Sequence, residues 1–398
     1  MLVPKLRFKR EDGTDYPVWE EQNLLQALIE KKEYNTLSSE CPLLTSSRTG
    51  LMYQNEYRDN ASTSNQSTLF SVVYRGDCTY RHMSDDSIFH FNINTLCDKG
   101  LVSKEYPVFT ARNEFNLAFV VTHLNSSTRF LEFCRQQKKG GTRTRLYFKT
   151  LCNYKMAFPC LEEQQKIADF LSTVDEVIIQ SEAEVQNLEQ QKKAAMQKIF
   201  SQEVRFKRED GSEYPEWEAV SFGSLIKEYR HRTSVENEDV LLSSAINGMF
   251  LNTELFGHQR GKSNIGYLKI DYGTLILSAQ NLHLGNANVN LRFEHGIISP
   301  AYKTYHITNC NVFFMAQWIK REETNQFFYD ATTVGASQCR RNVDWNALYE
   351  QRILLPHIEE QQKIADFLSA YDEAISYAKQ ELEHWKQLKK GLLQQMFV

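Results

Sequence analysis

The chain lacks any apolar run approaching the roughly 18 residues that a membrane span needs. Its start, "MLVPKLRFKRED", turns charged before an apolar stretch develops, so it does not read as a signal peptide and a cytoplasmic protein is expected. CxxC pairs are missing too. Of the eight cysteines, Cys41, Cys78, Cys97, Cys134, Cys152 and Cys160 fall in the first half and only Cys310 and Cys339 in the second. They read as reduced core residues, not as a disulfide framework or a metal site common to both halves. No Walker-type phosphate loop, GxGxxG turn, HExxH motif or GxSxG elbow occurs. His82 and His90 do not read as a metal-ligating pair, and most carboxylates map to helix faces, where solvation is the default. No catalytic, cofactor-binding or metal-ligating constellation remains, so the chain is expected not to be an enzyme.

What is present is repetition. "EEQQKIADFLS" at residues 162–172 returns letter for letter at 359–369, and "RFKREDGTDYPVWE" at 7–20 recurs as "RFKREDGSEYPEWE" at 205–218. "LLTSSRTGLMYQNEY" from 43 aligns with "LLSSAINGMFLNTEL" from 241, and "GLVSKEY" from 100 with "GIISPAY" from 296. With two copies and so long a period, this is a pseudo-dimer in one chain and not a solenoid. The segments read as a repeat motif (1–20), a globule (21–160), a helix (161–204), the second motif (205–218), a second globule (219–357) and a second helix (358–398). Runs such as "TLFSVVY" and "YLKIDYGTLIL", broken by Gly and Asn, suggest mixed α/β globules rich in strands and loops.

Beyond Pro159 and Pro356 the apolar spacing is helical. Ile167, Leu171, Val174, Ile178, Val185 and Leu188 mark one stripe, and Ile364, Leu368, Tyr371, Ile375, Leu382 and Trp385 mark its twin. A sustained 4-3 spacing makes a narrow seam suited to coiled-coil pairing; packing of each stripe on its own globule is the plainer alternative. The first helix ends beside the short link to the second globule, so the helices should run antiparallel. Residues 7–20 should then lie beside the end of the second helix, near Phe397. Lys192 and Lys389 interrupt the stripes at equivalent places, either fixing register or snorkelling to solvent. Glu162, Glu163, Glu359 and Glu360 occupy first turns, where acids favour the helix dipole.

Net charge is −4, but it is unevenly spread. The globules carry +4 (21–160) and +1 (219–357), while the helical segments carry −5 (161–204) and −2 (358–398). The first globule ends in "KKGGTRTRLYFK", with Lys138, Lys139, Arg143 and Arg145, and the second in "GASQCRRN", with Gln338, Arg340 and Arg341. Glycine permits close backbone approach to a phosphate, and arginine contacts phosphates or guanine edges. Recurrence at equivalent places strengthens a reading that a single basic loop would not support.

The chain resembles the specificity subunits of type I restriction-modification systems. The resemblance rests on the proline-led "EEQQKIADFLS" helix in both halves, the "KKGLLQQMF" ending with its internal copy "KKAAMQKIF", and the "RFKREDG…YPxW" segments; it covers the full length. It implies an α+β fold in which two mixed α/β target recognition domains, in pseudo-twofold arrangement, are joined by two long antiparallel coiled-coil helices. Each domain would read one half of a split, asymmetric site in double-stranded DNA. The helices would set the spacer and dock two methyltransferase subunits, which bind S-adenosylmethionine, and restriction subunits using ATP and Mg would join them. No membrane partner is implied. "GDCTYRHMS" from Gly76 aligns with "GTLILSAQN" from Gly273. That makes Arg81, His82, Ser84, Ser278, Gln280 and Asn281 candidate base readers, with Arg48 in the serine-rich "TSSRTG" loop as a further one. The competing reading is a coiled-coil adaptor whose globules bind proteins.

Overall fold

In the computed structural model, residues 4–36, 41–57, 68–138, 140–257, 263–337 and 340–397 are described, the side chains of 334–337 and 340 excepted. The chain divides into two compact units, residues 1–182 with 380–398 and residues 183–379. Two long helices, Leu161–Phe200 and Ile358–Met396, are each shared between them. Each unit therefore holds one globule, the start of one long helix and the end of the other.

In the first unit, Glu20–Asn23 pairs antiparallel with Lys155–Phe158, so the chain enters and leaves the globule side by side. A four-stranded antiparallel sheet takes the order Leu28–Glu30, Val108–Ala111, Cys78–Tyr80, Phe91–Ile93, and a three-stranded one is built on Leu69–Tyr74. The expected strand "TLFSVVY" is thus present as a fully paired central strand. Helices Leu117–Ser126 and Thr128–Gln136 cover the sheet, and Asn116 caps the first, its Oδ1 accepting from the Phe119 N–H at 2.8 Å. In the second unit Glu218–Ser221 pairs with Arg352–Leu355. Its main sheet runs Ile226–Tyr229, Tyr302–Ile307, Leu275–Ser278, Ala287–Val289. Asn311 repeats the cap on Phe314 at 3.0 Å.

The duplicated motifs explain each other once they fold. Arg7 donates to both oxygens of Glu163 at 2.7 and 3.0 Å and to the Pro17 carbonyl at 2.8 Å, while the Trp19 indole N–H donates to Glu163 at 3.2 Å. Arg205, Pro215, Trp217 and Glu360 repeat this set in the second unit. The carboxylates of Glu163 and Glu360 are fully buried, so they are more than dipole partners: each is the inner half of a lock that ties the motif to the first helical turn. Gln164 reaches back to the Pro159 carbonyl at 2.9 Å and accepts from the Asn116 N–H, and Gln165 accepts from the Asn116 amide. Gln361 and Gln362 do the same with Pro356 and Asn311.

Ile167, Ala168 and Leu171 enter the core of the first globule together with Met396. Ile364, Ala365 and Leu368 do so in the second with Ile199 and Phe200. The ends of the apolar stripe therefore pack on the globule and on the other helix at once, so the two sequence readings of the stripe are both correct there. Farther along, Val174, Val185 and Ile375 are buried and Ile178, Leu188, Tyr371, Leu382 and Trp385 half-buried, as a two-helix seam requires. The pairing is antiparallel. Lys389 bonds Asp175 and Lys386 lies 2.7 Å from Glu182 in the first unit; Lys379 lies 2.6 Å from Glu189 and Lys192 2.6 Å from Asp372 in the second. Lys192 and Lys389 thus leave the seam sideways to an ion pair. The chain ends meet as expected, the Leu6 N–H donating to the Gln395 carbonyl at 3.0 Å and Phe397 packing on Phe119.

Candidate nucleic-acid interface

A short two-stranded ribbon in the first unit gathers most of the candidate residues. Met83–Ser84 pairs antiparallel with Thr144–Arg145, and the Leu146 N–H extends the ladder to the His82 carbonyl at 2.8 Å. Side chains alternate across such a ribbon. Arg81, Arg145 and Tyr147 are exposed and Met83 half-exposed, while His82, Ser84, Thr144 and Leu146 are buried. Neither Arg81 nor Arg145 has an ion-pair partner among the described residues. The exposed face is therefore two free guanidiniums flanking a thioether and an aromatic ring, a set able to grip phosphate or a base edge and to stack.

The same alternation turns His82 and Ser84 inward. The buried His82 ring stacks on Tyr147 at 5.3 Å, and its Nδ1 has no hydrogen-bond partner. The Ser84 hydroxyl donates to Asp86 at 2.7 Å, and Asp86 also accepts from Arg48 at 2.7 Å. Those contacts, the serine first, hold the Asp86 carboxyl down to about 2. Arg143 bonds Asp85 at 2.9 Å. Arg48 and Arg143 are thus present at the surface but tethered, whereas Lys138 is exposed; Lys139 lies outside the described residues. Between the ribbon and the hairpin Leu44–Ser47/Gly50–Tyr53 runs a cleft of about 620 Å³, lined by Thr45, Ser47, Arg48, Arg81 and Met83 among others.

In the second unit the same places carry different chemistry. Gln280 and Asn281 are exposed after the central strand, and Ser278 is buried, its hydroxyl accepting from the Asn281 N–H at 3.1 Å. Ser278 therefore shapes the loop instead of reaching out of it. Arg341 is engaged within the unit: its guanidinium donates to the Thr332 hydroxyl and carbonyl at 2.6 and 2.9 Å and to the Tyr329 hydroxyl, and lies over the Tyr329 ring at 4.0 Å. It holds the hairpin Thr332–Ser337/Arg340–Val343 to the preceding helix. Gln338 and the side chain of Arg340 lie outside the described residues.

Sequence reasoning missed the asparagines that aim these hairpins. Asn92 donates to the Ser46 hydroxyl and the Ser47 carbonyl, and Asn288 donates to Ser244 and the Ala245 carbonyl at 2.6 and 2.7 Å. Lys320 adds three bonds in the second unit, to the carbonyls of Ile246 and Ala287 and to Asn288. Burial lowers its pKa to about 8. The equivalent of Lys320 is Asn125, which exchanges two bonds with the Phe91 backbone. Only the recurrence of "Asn" in the aligned strands "FNI" and "ANV" hinted at a common clamp. Among the described residues no group of His, Cys, Asp or Glu is placed to hold a metal ion, and no helix is long and apolar enough to cross a membrane.

Two mixed α/β units with differing exposed residues, each tied to a long helix by the same buried lock, form a duplicated scaffold. That architecture has solved counterparts. The type I restriction-modification S subunit of M. genitalium matches with a TM-score of 0.60 at 14% identity, over 100% of this chain and 99% of that one. A second structure, solved in a study of complex assembly and conformational transition of the type I system, matches with a TM-score of 0.51 at 14% identity over 95% and 97%. The family model described as "Type I restriction modification DNA specificity domain" matches residues 5–190 and again 192–384. The chain belongs to that family. It is similar to the MjaVIII specificity subunit of Methanocaldococcus jannaschii (25% identity over 66% of this chain) and to the putative MjaX specificity subunit of the same organism (23% over 70%). The matched regions span 65% and 66% of those two relatives.

Proposed function

We propose that this chain is the DNA specificity subunit of a type I restriction-modification complex and performs no catalysis itself. Each recognition domain reads one half of a bipartite, asymmetric site. The long helices set the spacer and dock methyltransferase subunits that carry S-adenosylmethionine, with ATP- and Mg-dependent restriction subunits joining that core. The observation that carries this reading is the contrast within the duplication. The locks and caps repeat residue for residue, while the aligned Arg81, Met83 and Ser84 are replaced by Ser278, Gln280 and Asn281, which leaves Arg81 exposed in one unit and Gln280 and Asn281 exposed in the other. A scaffold kept constant beneath two different polar surfaces is what two different half-sites require.

Arg81 and Arg145 are the leading base or phosphate contacts of the first domain, and Gln280 and Asn281, aligned with Met83 and Ser84, those of the second. Arg48, Lys138 and Arg143 border the same surface. Because both arginines of the ribbon lack a carboxylate partner among the described residues, they enter an interface without breaking an existing ion pair. The domains are only mildly basic, so binding by the chain alone should be weak and steeply salt-dependent.

The test is co-expression with the cognate methyltransferase subunit and mapping of methylated adenines. The expected result is one split site of two unlike halves. Arg81→Ala with Arg145→Ala should relax or abolish recognition of one half, leaving the other half and subunit assembly intact. Loss of assembly with an unchanged methylation pattern would favour the adaptor reading instead.

A further inference from the structure

We propose that four charged positions on the long helices make their pairing obligatorily mixed, so that a first-type helix accepts a second-type helix and rejects its own kind. The proposal is independent of what the globules recognise. It rests on four cross-helix ion pairs, which fall into two classes when the duplication is taken into account.

Asp175 and Lys192 of the first helix are matched by Asp372 and Lys389 of the second. Each aspartate bonds the lysine of the opposite helix. Because both helices carry the same acid and the same base, these bridges would form equally in a pair of two first helices. They add stability without selectivity. The other class behaves differently. Glu182 and Glu189 of the first helix stand where the second helix has Lys379 and Lys386. Glu182 meets Lys386 at 2.7 Å in one unit, and Glu189 meets Lys379 at 2.6 Å in the other. In a pair of first helices the same geometry sets Glu182 against Glu189 twice. In a pair of second helices it sets Lys379 against Lys386 twice. Exchanging partners therefore turns every attraction of this class into a repulsion.

These side chains are about half exposed, so each bridge alone stabilises little. Selectivity depends on a difference, and here attraction in the right pair and repulsion in the wrong one act together. Charge at flanking positions sets partner choice in two-helix seams in the same way. The occupant that the first helix fits is thus a helix with lysine at both positions. A second copy of the same half, or a product of the duplication carrying one half alone, presents the wrong charge. The pattern disfavours a symmetric pairing of two identical helices and favours one helix of each type.

The full-length chain can be made to carry the contacts of a self-pair. Lys379→Glu with Lys386→Glu places four glutamates at these positions, and Glu182→Lys with Glu189→Lys places four lysines. Each double variant should unfold a few degrees below the wild type at low salt, with the deficit shrinking at ~1 M salt, where the Debye length is about 3 Å. The fourfold exchange restores opposite charges in reversed order and should regain the wild-type midpoint. Its recovery separates charge complementarity from any local damage done by the substitutions. Midpoints of the double variants equal to wild type, or a fourfold variant no better than either double variant, would overturn the proposal.

Discussion

Glu162 and Glu163 are neighbours of the same type in the same helical turn, and the fold uses them in opposite ways. Glu163 is sealed beneath Arg7 and Trp19. Glu162 is mostly exposed, bonding the Tyr16 hydroxyl at 2.7 Å. Glu163→Ala should destabilise by about 3–5 kcal/mol, because it strands a largely buried guanidinium and an indole N–H. Glu162→Ala should cost about 1 kcal/mol or less. Chemical denaturation of the two variants decides between a lock and a simple helix-dipole role, which would make them equal. The sequence placed both acids in the first turn, but burial of one and not the other depends on the motif at 7–20, more than 140 residues away.

His123 makes the first unit sensitive to acid at a place where the second carries Trp318. It is buried against Phe397 with its ring bonded to the Tyr154 hydroxyl at 3.0 Å, and burial lowers its pKa from 6.5 to about 4. The equivalent residue in the second unit is Trp318. As pH falls through 6.5 the unfolded chain takes up a proton that the folded unit refuses, so stability declines and the loss is complete below about 4. Its full size is roughly 3 kcal/mol. His123→Gln should flatten the part of the unfolding-midpoint profile between pH 6.5 and 4 that this residue causes; an unchanged profile would rule the histidine out.

At the scale of elements, hairpin and sheet meet through glycine. A Cβ on Gly100 would overlap the Leu44 side chain, and one on Gly296 would overlap Leu242 and crowd the Val240 carbonyl. Gly100→Ala and Gly296→Ala should each cost about 1–3 kcal/mol by overpacking, read as a lowered unfolding midpoint, with the neighbouring hairpin shifted. The long helices were the most legible elements, since a 4-3 apolar spacing sustained over about six turns has few other solutions. The ribbon of Met83–Ser84 with Thr144–Arg145 was not legible. Its strands are two residues each and 60 residues apart, too short for an alternation to show. Sequence alone therefore does not separate the inward His82 and Ser84 from the outward Arg81.

For the whole molecule, the duplication makes a length prediction. Adding one heptad to both helices lengthens the pair by roughly 10 Å, about three base pairs of duplex at 3.4 Å each. The methylated site of the complex should then show a wider spacer between unchanged halves, and a spacer of unaltered length would reject the helices as its determinant. The two domains should remain folded in that variant, because each lock lies within its own unit.

The sequence by itself determined the duplication, the two long helices and the antiparallel sense of their pairing, because these follow from periodicity and chain length. It also showed that the motifs and helices repeat closely while the globules between them differ. Only the tertiary structure decided why "EEQQKIADFLS" recurs intact. Within each unit its glutamate, its glutamines and its apolar face are all engaged, by the arginine–tryptophan motif, the asparagine cap and the globule core. Those partners are distant in sequence, and burial and hydrogen bonding between distant segments leave no periodic trace in either one. The same holds for the arginines: tethering by Asp85 and Asp86, or freedom from them, is settled by which loops fold together and not by the loops' own composition.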